Sequence, residues 1–92
     1  MVRIVWSRNA IDDVELIRNY IRQFNPGASD KLATRLIAAG NNLDSFPNRG
    51  RLSSNGCREF AALSPYLIRY EVDGQLVRIL RVRHAARPFH EI

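Results

Sequence analysis

The spacing of apolar residues divides the chain into a strand, two helices and a run of strands. "VRIVW" (Val2–Trp6) is rich in β-branched and aromatic residues and stops at Ser7, which predicts a short strand. From Arg8 to Phe24 the apolar residues Ala10, Val14, Ile17, Ile21 and Phe24 recur at spacings of four and three. That spacing makes one stripe of an amphipathic helix, and Ser7 is placed to cap it. Asp12, Asp13 and Glu15 lie toward its start and Arg18 and Arg22 toward its end, which matches the helix dipole. "NPG" (Asn25–Gly27) breaks the pattern, because proline cannot continue a helix interior but can open a new one. "ASDKLATRLIAAGNNLDSF" then sets Leu32, Leu36, Ala39, Leu43 and Phe46 on one face, widened by Ala33, Ile37 and Gly40. So short a break predicts an antiparallel helical hairpin. Gly40 inside a helix costs about 1 kcal/mol against alanine, and close approach of the neighbouring helix would offset it.

Beyond Phe46 the period falls to two. "PNRGRLSSNG" (Pro47–Gly56) reads as a loop, the longest irregular stretch and the best place for mobility. "CREFA" (Cys57–Ala61) is a short strand and "LSP" a turn. "YLIRYEV" and "QLVRILRVRH" flank Asp73-Gly74, a preferred type I′ hairpin turn. A two-residue loop there sets Val72 against Gln75, Tyr70 against Val77 and Ile68 against Ile79. Tyr66, Ile68, Tyr70, Val72, Val77 and Ile79 then face the helices. Leu67, Arg69, Glu71, Leu76, Arg78, Leu80, Val82 and His84 share the other face, which reads as a half-dry groove for a partner. A β-bulge near Arg81 would instead swing Leu80 or Val82 back into the core. The expected architecture is α+β, in the order β-α-α-β-β-β, with the helical hairpin packed on a small, mostly antiparallel sheet.

Composition narrows the setting. Ninety-two residues make one domain spanning 1–92. No stretch approaches the roughly 20 apolar residues that span a bilayer, and "MVRIVW" is too short for a signal-peptide core, so a cytoplasmic location without membrane contact is expected. Cys57 is the only cysteine, which suits a reducing compartment. It reads as a small buried hydrophobe. No Cys/His spacing suits a metal and no glycine-rich loop suits a phosphate, so no cofactor is expected. The net charge is +5, carried almost wholly by arginine, Lys31 being the one lysine. Arginine forks bind carboxylates and phosphates, which favours an anionic partner.

Candidate chemistry concentrates in the hairpin. Arg58 and Glu59 are neighbours on a strand and point to opposite faces. Arg69 and Arg78 should be cross-strand neighbours, a like-charge pair that is destabilising unless an anion sits between them; Glu71 is the alternative neutraliser. "LRVRHAARPFH" (Leu80–His90) gathers Arg81, Arg83 and Arg87 around His84. Trp6, Tyr66 and Tyr70 read as core or groove-lining. A small RNA-binding module would need exposed aromatics on adjacent strands, and in this register Tyr66 and Tyr70 face the helices.

"AIDDVELIRNYI", "LDSFPNRGR", "REF" and "SPYLIRYEVDGQLVRILRVRHAARPF", in this order over nearly the whole chain, resemble the ParE/RelE superfamily of toxins from type II toxin–antitoxin pairs. The resemblance implies the β-α-α-β-β-β fold and a partner antitoxin that wraps the helical hairpin and sheet and carries any contact with operator DNA. It also implies one of two activities. RelE-type toxins cut mRNA on the ribosome, by attack of a ribose 2′-oxygen on the adjacent phosphate, which needs a proton acceptor, cations and an acid. In that branch lysines and arginines on the sheet and a tyrosine near the C-terminus serve. Here Lys31 lies outside the matching strands and the tail has Phe89, which cannot transfer a proton. The remaining catalytic candidates are His84, Arg81 and Arg87, with His90 a further acid or base. ParE-type toxins inhibit DNA gyrase without hydrolytic chemistry of their own, and the basic "RHAARPF" end fits that branch better. The expectation is therefore a gyrase inhibitor; the alternatives are a ribosome-dependent endoribonuclease and an inactive antitoxin-binding member. Arg58, Arg69, Arg78, Arg81, Arg83, Arg87, Leu67 and Leu80 are the candidates for contact with target or antitoxin.

Overall fold

Two side-chain caps start the two helices. In the computed structural model, which describes residues 2–86, the Ser7 hydroxyl accepts the Ala10 amide at 3.0 Å, and the Asn25 amide oxygen accepts the Ala28 amide at 3.1 Å. Strand β1 (Arg3–Trp6) leads into α1 (Arg8–Arg22), and α2 (Pro26–Asn41) follows with Pro26 in its first turn. A 3₁₀ turn (Asn42–Asp44), a two-residue strand β2 (Arg51–Leu52) and a second 3₁₀ turn (Ser54–Gly56) come next. Strands β3 (Arg58–Leu63), β4 (Tyr66–Asp73) and β5 (Leu76–His84) complete the order. The fold is α+β, as the sequence implies. The loop, however, contributes a fifth strand that no periodicity announced.

The sheet runs β1-β5-β4-β3-β2. β1 pairs with β5 in parallel, and the other pairings are antiparallel. The helices cover one face. Ala10, Val14 and Ile17 of α1 and Ala33 and Leu36 of α2 bury against Tyr66, Ile68, Tyr70, Val77, Ile79 and Val82, with Leu43 beyond the helix end. The apolar stripes stop short of their predicted ends: Phe24 and Phe46 are exposed. Gly40 is also not what it was expected to be. A Cβ there would lie 2.4 Å from Trp6 Cζ2 and 2.9 Å from Ile79 Cδ1, so the close neighbour is the β1 tryptophan rather than a helix.

The hairpin register differs from the predicted one in two steps. Asp73 pairs with Leu76, Val72 with Val77 and Tyr70 with Ile79, so the loop is Gly74-Gln75. Gly74 has φ +60 while Gln75 has no positive φ, which fits a turn with glycine at its first central position. The offset is two residues, so Val77 and Ile79 keep their predicted face. Between Ile79 and Arg81 the register then slips by one, and Leu80 becomes the extra residue of a bulge: Arg69 pairs with Arg81, Ile68 with Val82 and Tyr66 with His84. An odd slip reverses the faces. Val82 is therefore fully buried in the core, and Val82 and His84 leave the outer face to which the unbulged register assigned them. The burial of Val82 opposite Ile68 is a physical reason for the bulge.

Candidate functional site

The sheet face away from the helices is built from residues that alternate with the core. Arg3 and Val5 of β1, Leu76 and Arg78 of β5, Leu67, Arg69 and Glu71 of β4, Glu59 of β3 and Arg51 of β2 stand in register across it. Arginines outnumber carboxylates on this face, so it is electropositive. The expected Arg69–Arg78 pair is not formed: Arg78 is hydrogen-bonded to Glu71, and Arg69 lies opposite Arg81. Arg83, cross-strand from Leu67, lies 3.6 Å from the Glu59 carboxylate. Leu67 and Leu80 are half-buried. With Val82 turned inward, the half-dry groove expected here is a more polar, arginine-lined surface.

Arg58 lies in the inner row beside Tyr70, and Glu59 in the outer row beside Arg69, as strand alternation requires. Arg58 is a brace: its guanidinium donates to the Gly50 carbonyl at 2.7 Å and the Asn48 carbonyl at 3.3 Å. The Tyr70 hydroxyl, buried below the same loop, donates to the Pro47 carbonyl at 2.8 Å and accepts the Gly50 amide at 2.9 Å. The first part of the loop expected to be mobile is thus tied down by two side chains of the sheet.

The end of β5 is organised by Asp13, a residue that the sequence reading left on the helix dipole. Asp13 is 2% exposed. Its carboxylate accepts Arg81 Nε at 2.8 Å, Arg81 Nη2 at 3.0 Å and the Val82 amide at 2.9 Å. β1 ends at Trp6, opposite Ile79; beyond that point Asp13 takes the place of a neighbouring strand. The hydrogen bond to Asp13 raises the Arg81 pKa above its ordinary value, desolvation opposes this, and the Coulomb attraction of the same carboxylate adds to it. Arg81 is therefore a permanent cation. A signal for Asp13 was present: it lies three residues after Ala10 and four before Ile17, inside the apolar stripe, where a carboxylate needs a buried partner.

His84 packs edge-on against Tyr66, ring centroids 5.6 Å apart. Its Nδ1 accepts the Ala86 amide at 3.1 Å. Arg87 and His90 lie outside the described residues. Among the described residues no group of His, Cys, Asp and Glu is arranged to hold a metal, and no helix is long and apolar enough to cross a membrane. Cys57 is buried.

On the helix side a separate apolar groove of about 250 Å³ is lined by Trp6, Ile11, Val14, Glu15 and Ile37. Trp6 holds its place by donating Nε1–H to the Asn41 side-chain oxygen at 2.9 Å. Ile11 and Ile37 are 49% and 43% exposed, so the groove is open to a partner.

The family model of the ParE toxin of the type II toxin–antitoxin system parDE matches residues 4–89. A curated protein of Caulobacter vibrioides named Toxin RelE2 is 46% identical over 87 residues, 95% of this chain and 99% of the relative. Among solved structures, a chain from a chromosomal ParDE system of P. aeruginosa superposes with a TM-score of 0.83 at 24% identity, covering 91% of this chain and 96% of that one. A chain from the E. coli DinJ-YafQ toxin–antitoxin complex superposes with a TM-score of 0.54 at 21% identity, covering 92% and 93%. These two structures share the fold.

Proposed function

The chain belongs to the ParE toxin family of type II toxin–antitoxin systems, and on that premise we propose that a cognate antitoxin holds it inactive and that, when free, it inhibits DNA gyrase through protein contacts. The observation that carries the gyrase reading is the engagement of the side chains that RNA cleavage would need. Arg81 is fixed by Asp13, His84 accepts a backbone amide through Nδ1, and Arg58 donates to loop carbonyls. Phosphodiester cleavage needs an acid and a base within reach of the reacting oxygens. Tyr66 and Tyr70 are buried in the core and do not supply them. What the outer face does offer is fixed positive charge, suited to an acidic protein surface.

The apolar groove between the helices supports the antitoxin part of the reading, since an amphipathic helix seats its apolar face in such a groove. A second reading, ribosome-dependent mRNA cleavage, is favoured by the outer-face arginines and by the RelE name of the Caulobacter relative. Expression of the free chain in cells separates the two. Gyrase inhibition predicts growth arrest with relaxed plasmid DNA and intact mRNA, reversed when a cognate antitoxin is co-expressed. Cleaved mRNA with normal supercoiling would instead establish the ribonuclease.

A further inference from the structure

Leu16, Tyr20 and Phe24 stand four residues apart and are 51%, 48% and 71% exposed. They form a second apolar row along α1, distinct from the buried row of Ala10, Val14 and Ile17. Phe24 sits in the turn that closes the helix, where its amide donates to the Ile21 carbonyl at 3.0 Å. Its ring meets Tyr20 edge-on, centroids 5.3 Å apart, so the two rings hold each other in place. Tyr20 lies about two and a half helical turns beyond Ile11, so the row occupies the flank of α1 opposite the Trp6 groove. Charge on this flank is balanced. Asp12 lies 3.4 Å from Arg8, and Arg18 is turned to Glu15 and to Asp30 of α2. The neighbours Asn9, Asn19 and Gln23 are exposed and neutral.

We propose that this row is the contact through which two copies of the chain associate, α1 packing antiparallel on α1 of the second copy across a twofold axis at Tyr20. Leu16 of each copy then meets Phe24 of the other, and Tyr20 meets its twin. Three observations select a second copy as the occupant. The chain carries a net charge of +5, so two copies repel except where their surfaces are locally neutral, as this flank is. A row at i, i+4 and i+8 is a ridge of the kind that interdigitates with its like in the commonest class of helix packing. An acidic segment finds little to hold it here, since Arg8 and Arg18 each face a carboxylate already. Side chains this exposed present on the order of 300 Å² of apolar surface per copy, the size of a patch that serves a contact. Two such patches with their polar rim stay below the roughly 1,200 Å² of a standard interface, so the dimer is weak and forms at high concentration. The preset Tyr20–Phe24 ring pair lowers the ordering cost of forming it. The Trp6 groove stays open in this dimer, so the assignment is independent of the antitoxin reading.

The test is sedimentation of the purified chain over two decades of concentration, up to about 1 mM. The average mass should climb toward twice that of the monomer. Association should strengthen with added salt, which screens the repulsion between two chains of charge +5. Tyr20→Asp and Tyr20→Lys should each weaken self-association about tenfold or more, because like charges meet at the axis, while melting like the wild type. Mixed in equal amounts, the two variants should recover most of it. Ile37→Ser, in the Trp6 groove, should leave it unaltered. A chain that stays monomeric at every concentration and salt overturns the proposal, as does a dimer that Tyr20→Asp leaves intact. Failure of the mixed variants to associate overturns the axis at Tyr20. Two other results would give the row to a different occupant and overturn the proposal with it. One is a monomeric chain whose affinity for a cognate antitoxin falls in Tyr20→Asp. The other is a monomeric chain in which that substitution speeds amide exchange across residues 87–92, which assigns the row to the chain's own C-terminal segment.

Discussion

Asp13 occupies a position in α1 that the apolar spacing reserves for hydrocarbon, and its three hydrogen bonds to Arg81 and Val82 explain how the helix tolerates it. Removing one partner of a buried ion pair leaves the other uncompensated. Asp13→Ala should therefore cost about 3 kcal/mol, read as a lower urea midpoint at unchanged slope. Asp13→Asn keeps an acceptor for the Val82 amide and should cost about half as much. The pair raises the Arg81 pKa, so on the alkaline side its contribution holds up to the ordinary arginine value and fades only in strong alkali. Neutral-range pH should therefore leave its contribution unchanged. Gly40 illustrates the opposite sign of intuition. Alanine there improves helix propensity by about 1 kcal/mol, yet its Cβ would sit 2.4 Å from the Trp6 ring. Gly40→Ala should lower the melting temperature and shift tryptophan fluorescence. The need for small size at Gly40 was legible in the sequence. The neighbour that imposes it was not, because helical periodicity carries no information about which strand crosses beneath.

At the scale of elements, both helices, the Ser7 cap of the first and the hairpin were readable from period and turn chemistry, each a local property; the Asn25 cap of the second helix appears only in the structure. The hairpin register was not. A two-residue turn read from "DG" placed glycine second in the loop, whereas the chain uses Gly74 first and spends Asp73 on the ladder. The bulge at Leu80 compounds the shift, and its causes are long-range: burial of Val82 and a carboxylate on α1 that receives its amide. The loop after α2 was misjudged for the same reason. Its glycine, proline and serine content marks irregular backbone correctly, but Tyr70 and Arg58, from strands later in the chain, tie it down. Tyr70→Phe deletes the hydroxyl that satisfies both Gly50 and Pro47. It should cost about 1–2 kcal/mol and, in hydrogen exchange, expose the Gly50 amide while leaving the core amides of β4 protected.

For the whole molecule, the helical hairpin and sheet divide the surface into an apolar groove on one side and an arginine-lined face on the other. That division leaves two chemically different faces, one apolar and one basic. The family was legible because its motifs run in order along the chain; the target was not, because a fold hosts several activities and names none of them. The candidate residues sorted themselves only in three dimensions. Arg58, Arg81 and His84 proved to be engaged in structure, and Arg49 and Arg51, which the sequence left in a loop, line an open cleft at the β2 end of the outer face. His84→Ala should accordingly preserve growth arrest on expression of the free chain and reduce stability only slightly, through the lost Tyr66 and Ala86 contacts; a ribonuclease relying on His84 would instead become harmless. The most direct measurement is gyrase supercoiling in a purified system to which the free chain is added. The account predicts dose-dependent loss of supercoiling, reversed by the antitoxin. Undiminished supercoiling, together with ribosome-dependent mRNA cleavage by the same preparation, would contradict it.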